Sequence, residues 1–297
     1  MQQNEKIIRC GRSTVLLGSS NIGIYELPGG DAVLIDTGYK NDGRLLDAYL
    51  TEHRLRPRMI LNTHSHSDHT CANGELCARY GIKAYTSTAE ARCAAEPERQ
   101  YIRMCGAEPP QDIAALIQPI PPVEIHDIAS AEFPEGFEIQ AVPGHSVADI
   151  AIRTPDGVWF LGDSVLGLHA LSLCALSYIT SMRQYIASLG IIAGLRGALF
   201  VPGHGRPEAE AEALAEANLR SLERTIKTVL EYCRTPRTRE DVIALVMQTD
   251  GQMNMDRYLS LNVSVSTLLF YLQEQGLLRF NIRDGRMQWQ ANCCYIK

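Results

Sequence analysis

Three histidines and an aspartate lie within six positions of the sequence, in the stretch Thr-His-Ser-His-Ser-Asp-His-Thr at 63–70. Imidazoles this crowded repel one another when protonated, and they contribute nothing structurally unless a cation holds them. Zinc prefers neutral imidazole nitrogen and carboxylate oxygen, and a catalytic zinc site keeps one coordination position open to water. The cluster therefore predicts a catalytic metal site with four candidate ligands: His64, His66, Asp68 and His69.

The residues before this cluster predict where it lies in the fold. The apolar run at 58–62 is typical of a strand that is covered on both sides, so the cluster leaves the carboxyl end of a buried strand. Side chains two positions apart in an extended loop point the same way. We therefore expect His64 and His66 to bind one metal ion, while Asp68 and His69 turn toward a neighbouring ion.

Further metal-competent residues occur downstream, each just past the end of a predicted apolar strand. Each also follows a glycine, which lets the backbone turn tightly. A single histidine or aspartate in a turn is weak evidence, but an ordered set of seven candidate ligands is strong evidence for a metal centre. The three downstream residues are His145 in Pro-Gly-His-Ser, Asp163 in Leu-Gly-Asp-Ser and His204 in Pro-Gly-His-Gly.

The order of the predicted elements indicates the fold class. Strands are first paired by hairpins and then interleaved with helices, which predicts an α/β (α+β) protein with two mixed sheets packed together and helices outside. This is a four-layer αββα sandwich, and we assign it to residues 1–207. Within it, residues 88–117 are predicted to be a mostly helical insertion that covers another part of the domain.

The pattern changes after residue 207. Residues 208–297 read as helices followed by a two-stranded hairpin around Arg283-Asp284-Gly285, the outline of a small winged-helix-like domain. From Asn218 onward there are 11 Lys or Arg against 8 Asp or Glu, which is a modest basic excess. The candidates for a basic surface are Arg234, Arg237, Arg239, Arg279, Arg283 and Arg286.

Composition restricts the remaining possibilities. Hydrophobic residues make up 45% of the 297-residue chain and charged residues 21%, as in soluble globular proteins. No run approaches the ~18 to 20 apolar residues that a membrane span needs, and the start MQQNEKIIRC lacks a signal-sequence pattern. We therefore expect a cytoplasmic protein with no membrane partner. A net charge of −6 argues against general affinity for nucleic acid, and nine scattered cysteines without a CxxC pair predict free thiols.

The motifs in their order resemble the five motifs of the metallo-β-lactamase superfamily. They are Leu-Ile-Asp-Thr-Gly at 34–38, then H-x-H-x-D-H, Gly-His, Gly-Asp-Ser and Gly-His-Gly, and they cover roughly residues 10–207. The resemblance implies the αββα sandwich with its metal site at one edge. It also implies that His64, His66 and His145 bind a first metal ion, that Asp68, His69 and His204 bind a second, and that Asp163 bridges both. Asp36 matches the carboxylate that orients the ligand loop from behind.

The resemblance is to the hydrolase branch of glyoxalase II and its relatives, which implies two Zn²⁺ ions; iron or manganese fits the same ligands. A hydroxide that bridges the two ions would be the nucleophile, and Asp68 would also act as a proton shuttle. The candidate catalytic residues are therefore Asp68 and, as the carboxylate that orients the ligand loop, Asp36. The expected reaction is hydrolysis of an ester-like bond.

The substrate stays open at this stage, and no substrate-binding residue is assigned. A small-molecule thioester or related ester is the favoured substrate, since Tyr101, Met104 and residues 166–178 could form apolar walls over the metals. The alternatives are a metal-dependent ribonuclease or phosphodiesterase, and a regulator whose winged helix binds nucleic acid. Association of two copies of the chain into a homodimer is a further possibility.

Overall fold

Two mixed β-sheets packed face to face form the centre of the protein. The computed structural model describes residues 6–114 and 124–292. Helices cover the outer face of each sheet, so the predicted α/β class and four-layer sandwich are confirmed.

The first half of the chain forms a seven-stranded sheet in chain order. Strands β1 to β4 pair antiparallel, and β4 to β7 continue parallel. Because β4 and β5 are parallel neighbours, the residues that follow them lie side by side at one edge of the sheet. The elements are β1 Ile7–Cys10, β2 Ser13–Leu16, β3 Ile22–Glu26, β4 Asp31–Ile35, α1 Lys40–Glu52, β5 Arg56–Leu61, α2 Ser67–Thr70, α3 Asn73–Tyr80, β6 Lys83–Thr86, α4 Thr88–Ala95, α5 Glu98–Cys105, α6 Gln111–Ala114 and β7 Ile125–Asp127.

The second sheet has four strands in the order β11-β10-β9-β8. Its strands β10 and β11 are parallel, whereas β8, β9 and β10 pair antiparallel. The elements are β8 Glu138–Ala141, β9 Ile150–Arg153, β10 Val158–Gly162, α7 Leu168–Ser172, α8 Met182–Ala193 and β11 Leu199–Pro202.

Alternation along the strands produces the layers. In β4, Val33 and Ile35 face the core between the sheets, whereas Leu34 faces the core under α1 and α3. In β10, Phe160 faces the inter-sheet core, and its neighbour Trp159 packs on the opposite side. Since successive side chains of a strand point to opposite faces, a strand that is apolar throughout serves two cores at once.

The C-terminal segment is helical and ends in a hairpin, and it shares a hydrophobic core with the second sheet. That core runs from Trp159 and Leu161 through Leu189 to Leu268 and Trp289. The elements are α9 Ala211–Tyr232, α10 Arg239–Asp250, α11 Met255–Glu274, β12 Leu278–Arg283 and β13 Arg286–Ala291. The division of the chain at residue 207 and the winged-helix assignment stay predictions.

The structure differs from the sequence expectations in several places. The histidine cluster is extended only as far as His66; the short helix α2 then turns Asp68 and His69, so the prediction of one extended loop was wrong. Strand β1 and helix α7 were not predicted. Residues 115–117 of the predicted insertion lie outside the described residues. The seven described cysteines are free, while Cys293 and Cys294 lie outside the described part of the chain.

Candidate metal centre

The predicted ligands of the first metal ion come together at the edge of the sandwich. His64 and His66 follow β5 in the first sheet, and His145 follows β8 in the second. One ring nitrogen from each of these residues lies within 4.8 Å of the other two. Nε2 of His145 lies 2.8 Å from Nδ1 of His66, so these two nitrogens point at the same small volume.

A second group lies beside the first and consists of Asp68, His69, Asp163 and His204. The carboxylate Oδ2 of Asp68 lies 3.0 Å from Nε2 of His204 and 3.5 Å from Nε2 of His69. Asp163 reaches both groups: its Oδ1 lies 3.4 Å from Nε2 of His69, and its Oδ2 lies 3.5 Å from Nε2 of His145. The structure thus brings together all seven side chains that the sequence singles out, with Asp163 between the two groups.

The close approach of β10 and β11 shapes this arrangement at Gly203. A Cβ atom at this position would collide with Oδ1 of Asp163 and would lie 3.0 Å from Cε1 of the His69 ring. Only glycine fits here, since any side chain would displace the carboxylate that joins the two groups.

Three buried ligand atoms of the site have no hydrogen-bond partner: Nε2 of His64, Nε2 of His69 and Oδ1 of Asp163. Buried polar atoms are nearly always paired, so each orphaned atom requires an explanation. All three belong to the two groups described above. A cation among them would satisfy them together, and the donor set of imidazole nitrogens and carboxylates fits zinc, iron or manganese.

Two histidines of the site, His145 and His204, use their Nδ1 atoms in hydrogen bonds to backbone carbonyl groups. Nδ1 of His145 lies 2.9 Å from the carbonyl oxygen of Tyr178, and Nδ1 of His204 lies 2.6 Å from that of Ser19. A carbonyl oxygen can only accept, so each Nδ1 carries a proton and each Nε2 is the nitrogen available to a metal ion. This is the tautomer that metal ligation needs.

The first group is held in the neutral form. Burial lowers the pKa of His64 well below its usual value, with further lowering by His69, His66 and His145. Burial also lowers the pKa of His145, to about 4, against the opposing effect of Asp163. Neutral imidazole is the metal-binding form, so the surroundings of these rings favour ligation at neutral pH.

The second group concentrates negative charge. The carboxylate of Asp163 raises the pKa of His204 well above its usual value, against the effect of burial. Burial lowers the pKa of His69, but the carboxylates of Asp68, Asp36 and Asp163 outweigh it and raise that pKa well above the usual range. These carboxylates therefore attract positive charge, which protons supply in the metal-free protein and which a divalent cation would supply more strongly.

Asp36 lies behind the second group and does not face its open side. Its Oδ2 lies 2.7 Å from Nδ1 of His69, and it accepts hydrogen bonds from the backbone N–H of Thr63 and from the Thr63 hydroxyl, both at 2.8 Å. Its backbone adopts the left-handed region with φ 55°, which aspartate tolerates better than most residues. These contacts fit the positioning role that the family resemblance implies for Asp36, and Asp36 is not among the described residues that line the cavity, so its assignment as a catalytic residue stays a prediction.

Two supporting asparagines escaped the sequence analysis. Asn62 donates hydrogen bonds to the carbonyl oxygen of His69 at 3.1 Å and to Oδ1 of Asp36 at 3.4 Å. Asn21 donates to the carbonyl oxygens of Pro202 and Gly205, on either side of His204. Neither residue belongs to a motif. Asn21 lies 181 and 184 positions along the chain from its two partners, so no local sequence pattern indicates these contacts.

A cavity of about 190 Å³ opens onto the two groups. Met104 of helix α5 and Tyr178 line it, whereas Tyr101 is not among its lining residues. Asp256 and Ser260 of helix α11 also line it, so the C-terminal segment contributes directly to the wall of the site. None of the described residues that line this cavity is Lys or Arg.

Comparisons with known proteins agree with this architecture. The sequence profile of the metallo-beta-lactamase superfamily matches residues 15–204. The chain belongs to this superfamily, which confirms the resemblance seen in the sequence motifs. No protein of curated function matches the chain by sequence.

Several solved structures share the fold. A metallo-beta-lactamase family protein from Thermus thermophilus is 19% identical with a TM-score of 0.70, and the alignment covers 96% of each chain. A beta-lactamase domain protein from Burkholderia ambifaria is 17% identical with a TM-score of 0.69, over 96% of this chain and 93% of that one. A metallo-beta-lactamase from Pontibacter korlensis is 18% identical with a TM-score of 0.53, over 73% of this chain and 98% of that one. Since all three are this distant in sequence, they show the fold alone.

Among the described residues, no helix combines the length and apolar character needed to cross a membrane.

Proposed function

We propose that this protein is a dinuclear metal-dependent hydrolase that acts on an ester-like bond of a small molecule, with a thioester or related ester as the favoured substrate. One observation carries the proposal: three buried ligand atoms, His64 Nε2, His69 Nε2 and Asp163 Oδ1, lack hydrogen-bond partners inside two adjoining groups of metal-competent side chains. The superfamily to which the chain belongs consists mostly of hydrolases, which supports the same reading.

The residues have separate roles in this proposal. His64, His66 and His145 would hold one cation, Asp68, His69 and His204 would hold the other, and Asp163 would contact both. We propose Zn²⁺ for both positions. When bound, such ions supply Lewis-acid activation of water for attack on a carbonyl carbon.

Asp68 is the side chain best placed to move a proton. Its carboxylate lines the cavity, and it contacts Nε2 of His204 and of His69. Burial raises its pKa, but His69 and His204 outweigh that and lower the pKa to about 2, so Asp68 is ionised at neutral pH and would readily release a proton that it takes from the attacking water. Delivery of that proton to the leaving thiol or alcohol would complete the hydrolysis.

The shape of the cavity supports a small substrate. Its volume of about 190 Å³ and its walls from α5 and α11 suit a compact organic group better than a polynucleotide. The absence of Lys and Arg from the described lining also disfavours a phosphodiester, because phosphate recognition normally uses such groups.

Two of the six arginines considered for a nucleic-acid surface, Arg234 and Arg237, are engaged locally. Arg234 lies 3.1 Å from a carboxylate oxygen of Glu231, and the Arg237 guanidinium stacks over the Tyr232 ring at 4.2 Å. Since exposed cations paired in this way contribute less free charge to a partner, these contacts do not favour the ribonuclease or the nucleic-acid-binding regulator.

The proposal is tested by metal analysis of the purified protein, followed by hydrolysis assays with thioesters, lactones, phosphodiesters and single-stranded RNA. We expect about two zinc ions per chain and metal-dependent thioester or ester cleavage that a chelator abolishes. His64→Ala should lower the metal content and reduce kcat by roughly 100-fold or more, since even residues behind the ligands typically matter 10- to 100-fold.

His126→Ala is the matched control, because His126 lies outside both groups and contacts only Glu124 at 3.6 Å among the described ion pairs. It should keep the metal content and the activity of the wild type. Cleavage of RNA without cleavage of any ester, or equal activity in chelator-treated and zinc-loaded samples, would overturn the proposal.

A further inference from the structure

Helix α4 carries a buried glutamate that none of the sequence motifs includes. Glu90 is fully buried, and its two carboxylate oxygens accept hydrogen bonds from two different loops. One oxygen accepts from the backbone N–H of Ser65 at 3.0 Å and from the Ser65 hydroxyl. The other accepts from the Ser146 hydroxyl at 2.6 Å and from the backbone N–H of Ala148 at 2.9 Å.

These two loops carry the three histidines of the first group. Ser65 lies between His64 and His66, and Ser146 follows His145 directly. The loops leave different sheets, and one backbone hydrogen bond, from the N–H of Ile150 to the carbonyl oxygen of Thr63 at 2.9 Å, joins the segments beside them. The Glu90 carboxylate adds a side-chain link that accepts from both loops, beside the 2.8 Å approach of His66 Nδ1 to His145 Nε2.

Neighbouring contacts hold the carboxylate and the second loop in place. The Ser87 hydroxyl, at the start of α4, donates to the carbonyl oxygen of Ala148 at 2.7 Å. Asp149 accepts from the backbone N–H of Ser146 at 2.7 Å. The loop after His145 is therefore held at several neighbouring points, and α4 cannot shift without moving that loop.

Glu90 also lacks a cationic partner among the described residues. Within residues 6–114 and 124–292, no Lys, Arg or His forms an ion pair with it within 4.0 Å. A buried carboxylate without a cationic partner is costly, and four hydrogen bonds offset that cost only in part. A cation in the neighbouring three-histidine group would provide the missing compensation.

We propose that Glu90 is a positioning residue that fixes the spacing of the His64-Ser65-His66 and His145-Ser146 loops and thereby sets the cation affinity of the three-histidine group. This inference rests on the proposed metal centre. It concerns a residue that contacts no substrate and no ligand atom, so its effect runs through the two serines and Ala148.

The test uses zinc as the probe and the full chain. In Glu90→Gln, one carboxylate oxygen becomes an NH₂ group that cannot accept, so the backbone N–H of either Ser65 or Ala148 loses its partner. We expect about one zinc ion per chain in place of two under limiting zinc, and affinity for the lost ion about 10- to 100-fold weaker in competition with a chromophoric chelator. Glu98→Gln, an exposed glutamate of α5, should bind zinc like the wild type.

A purely structural role gives a different pattern. It would lower the Tm of the metal-free protein and leave both zinc affinities unchanged, and that result would overturn the inference. Ser146→Ala guards against a variant that fails to fold, because it removes only one hydrogen bond and leaves the backbone contacts intact. We expect an intermediate loss of affinity from it, and wild-type affinity in a folded Ser146→Ala protein would likewise count against the inference. A wild-type chain that binds no zinc would refute the metal centre itself, whereas two-ion binding by both wild type and Glu90→Gln would refute only the role of Glu90.

Discussion

The carboxylate of Asp36 lies 2.7 Å from Nδ1 of His69, at the point where strand β4 ends beside β5. The same carboxylate holds the backbone N–H and the hydroxyl of Thr63, the residue before His64. Asp36 therefore connects the start and the end of the histidine cluster, and it orients the Nε2 atom of His69 toward Asp68 and Asp163.

Asp36→Asn should weaken zinc binding at the second group by roughly 10- to 100-fold and lower kcat by a similar factor. The amide oxygen can still accept from the backbone N–H of Thr63, but an NH₂ group in the place of Oδ2 cannot accept from either Thr63 Oγ1 or His69 Nδ1. Zinc titration and steady-state kinetics measure both effects. Asp284→Asn is the control, because Asp284 has the same left-handed backbone with φ 51° but lies exposed in the C-terminal hairpin. Equal zinc affinity in the two variants would contradict the role of Asp36.

Met104→Trp should raise KM for the small ester substrate at least about 10-fold with little change in kcat. The larger side chain occupies part of the cavity of about 190 Å³, and Met104 belongs to neither metal-competent group, so we expect weaker substrate binding with the chemistry intact. Steady-state kinetics across a series of acyl-chain lengths separates the two parameters. Met253→Trp, an exposed position just after α10, is the control. A fall in kcat at constant KM would place Met104 in another role.

Asn218→Leu should lower the free energy of unfolding by about 2–4 kcal/mol. The Asn218 side chain pairs with both the N–H and the C=O of Leu166 at 2.9 Å, and replacement leaves these two buried groups unpaired. Thr228→Ala, an exposed position on the same helix, should change stability by less than about 0.5 kcal/mol. Urea unfolding followed by circular dichroism is the measurement.

The same experiment tests whether the C-terminal segment folds with the rest. Because the hydrophobic core continues from the second sheet into α9, α10 and α11, we expect a single transition in both proteins. Two separated transitions, with only the second shifted in Asn218→Leu, would show an independent C-terminal unit.

The stability of the metal-free protein should depend on pH through Asp149. Burial raises the pKa of the Asp149 carboxyl well above its usual value, and the Glu90 carboxylate raises it further. A carboxyl whose pKa is higher in the folded state stabilises below its unfolded pKa of about 4, and this contribution is lost as pH rises through the folded value.

Asp149→Asn removes this titration, so its stability relative to wild type should increase as pH rises above the unfolded pKa of about 4, by about 1.4 kcal/mol for each unit of pKa shift. Urea unfolding of chelator-treated samples at several pH values checks it. Asp112→Asn, at an exposed carboxylate of α6, should follow the wild type at every pH. A constant difference between Asp149→Asn and wild type would contradict the prediction.

Much of the fold and of the site was predictable, because the relevant signals are local. Short apolar segments before His64, Asp163 and His204 predict strands. The glycines that directly precede His145, Asp163 and His204 predict the turns after those strands. Parallel strands carry their carboxyl ends to one edge, so a metal-competent residue after each strand predicts convergence. Helix α2 was missed because four residues offer too little periodicity to distinguish a helical turn from an extended loop.

The sequence by itself determined the order of the seven metal-competent side chains, their placement at strand ends and the two-sheet class, since each follows from neighbours within a few positions. Tertiary structure alone decided that Glu90 joins two loops, that Asp256 and Ser260 wall the cavity, and that one core spans residue 207. These contacts link residues that lie far apart along the chain. They depend on how whole layers pack, and short-range patterns of side chains carry no record of that packing.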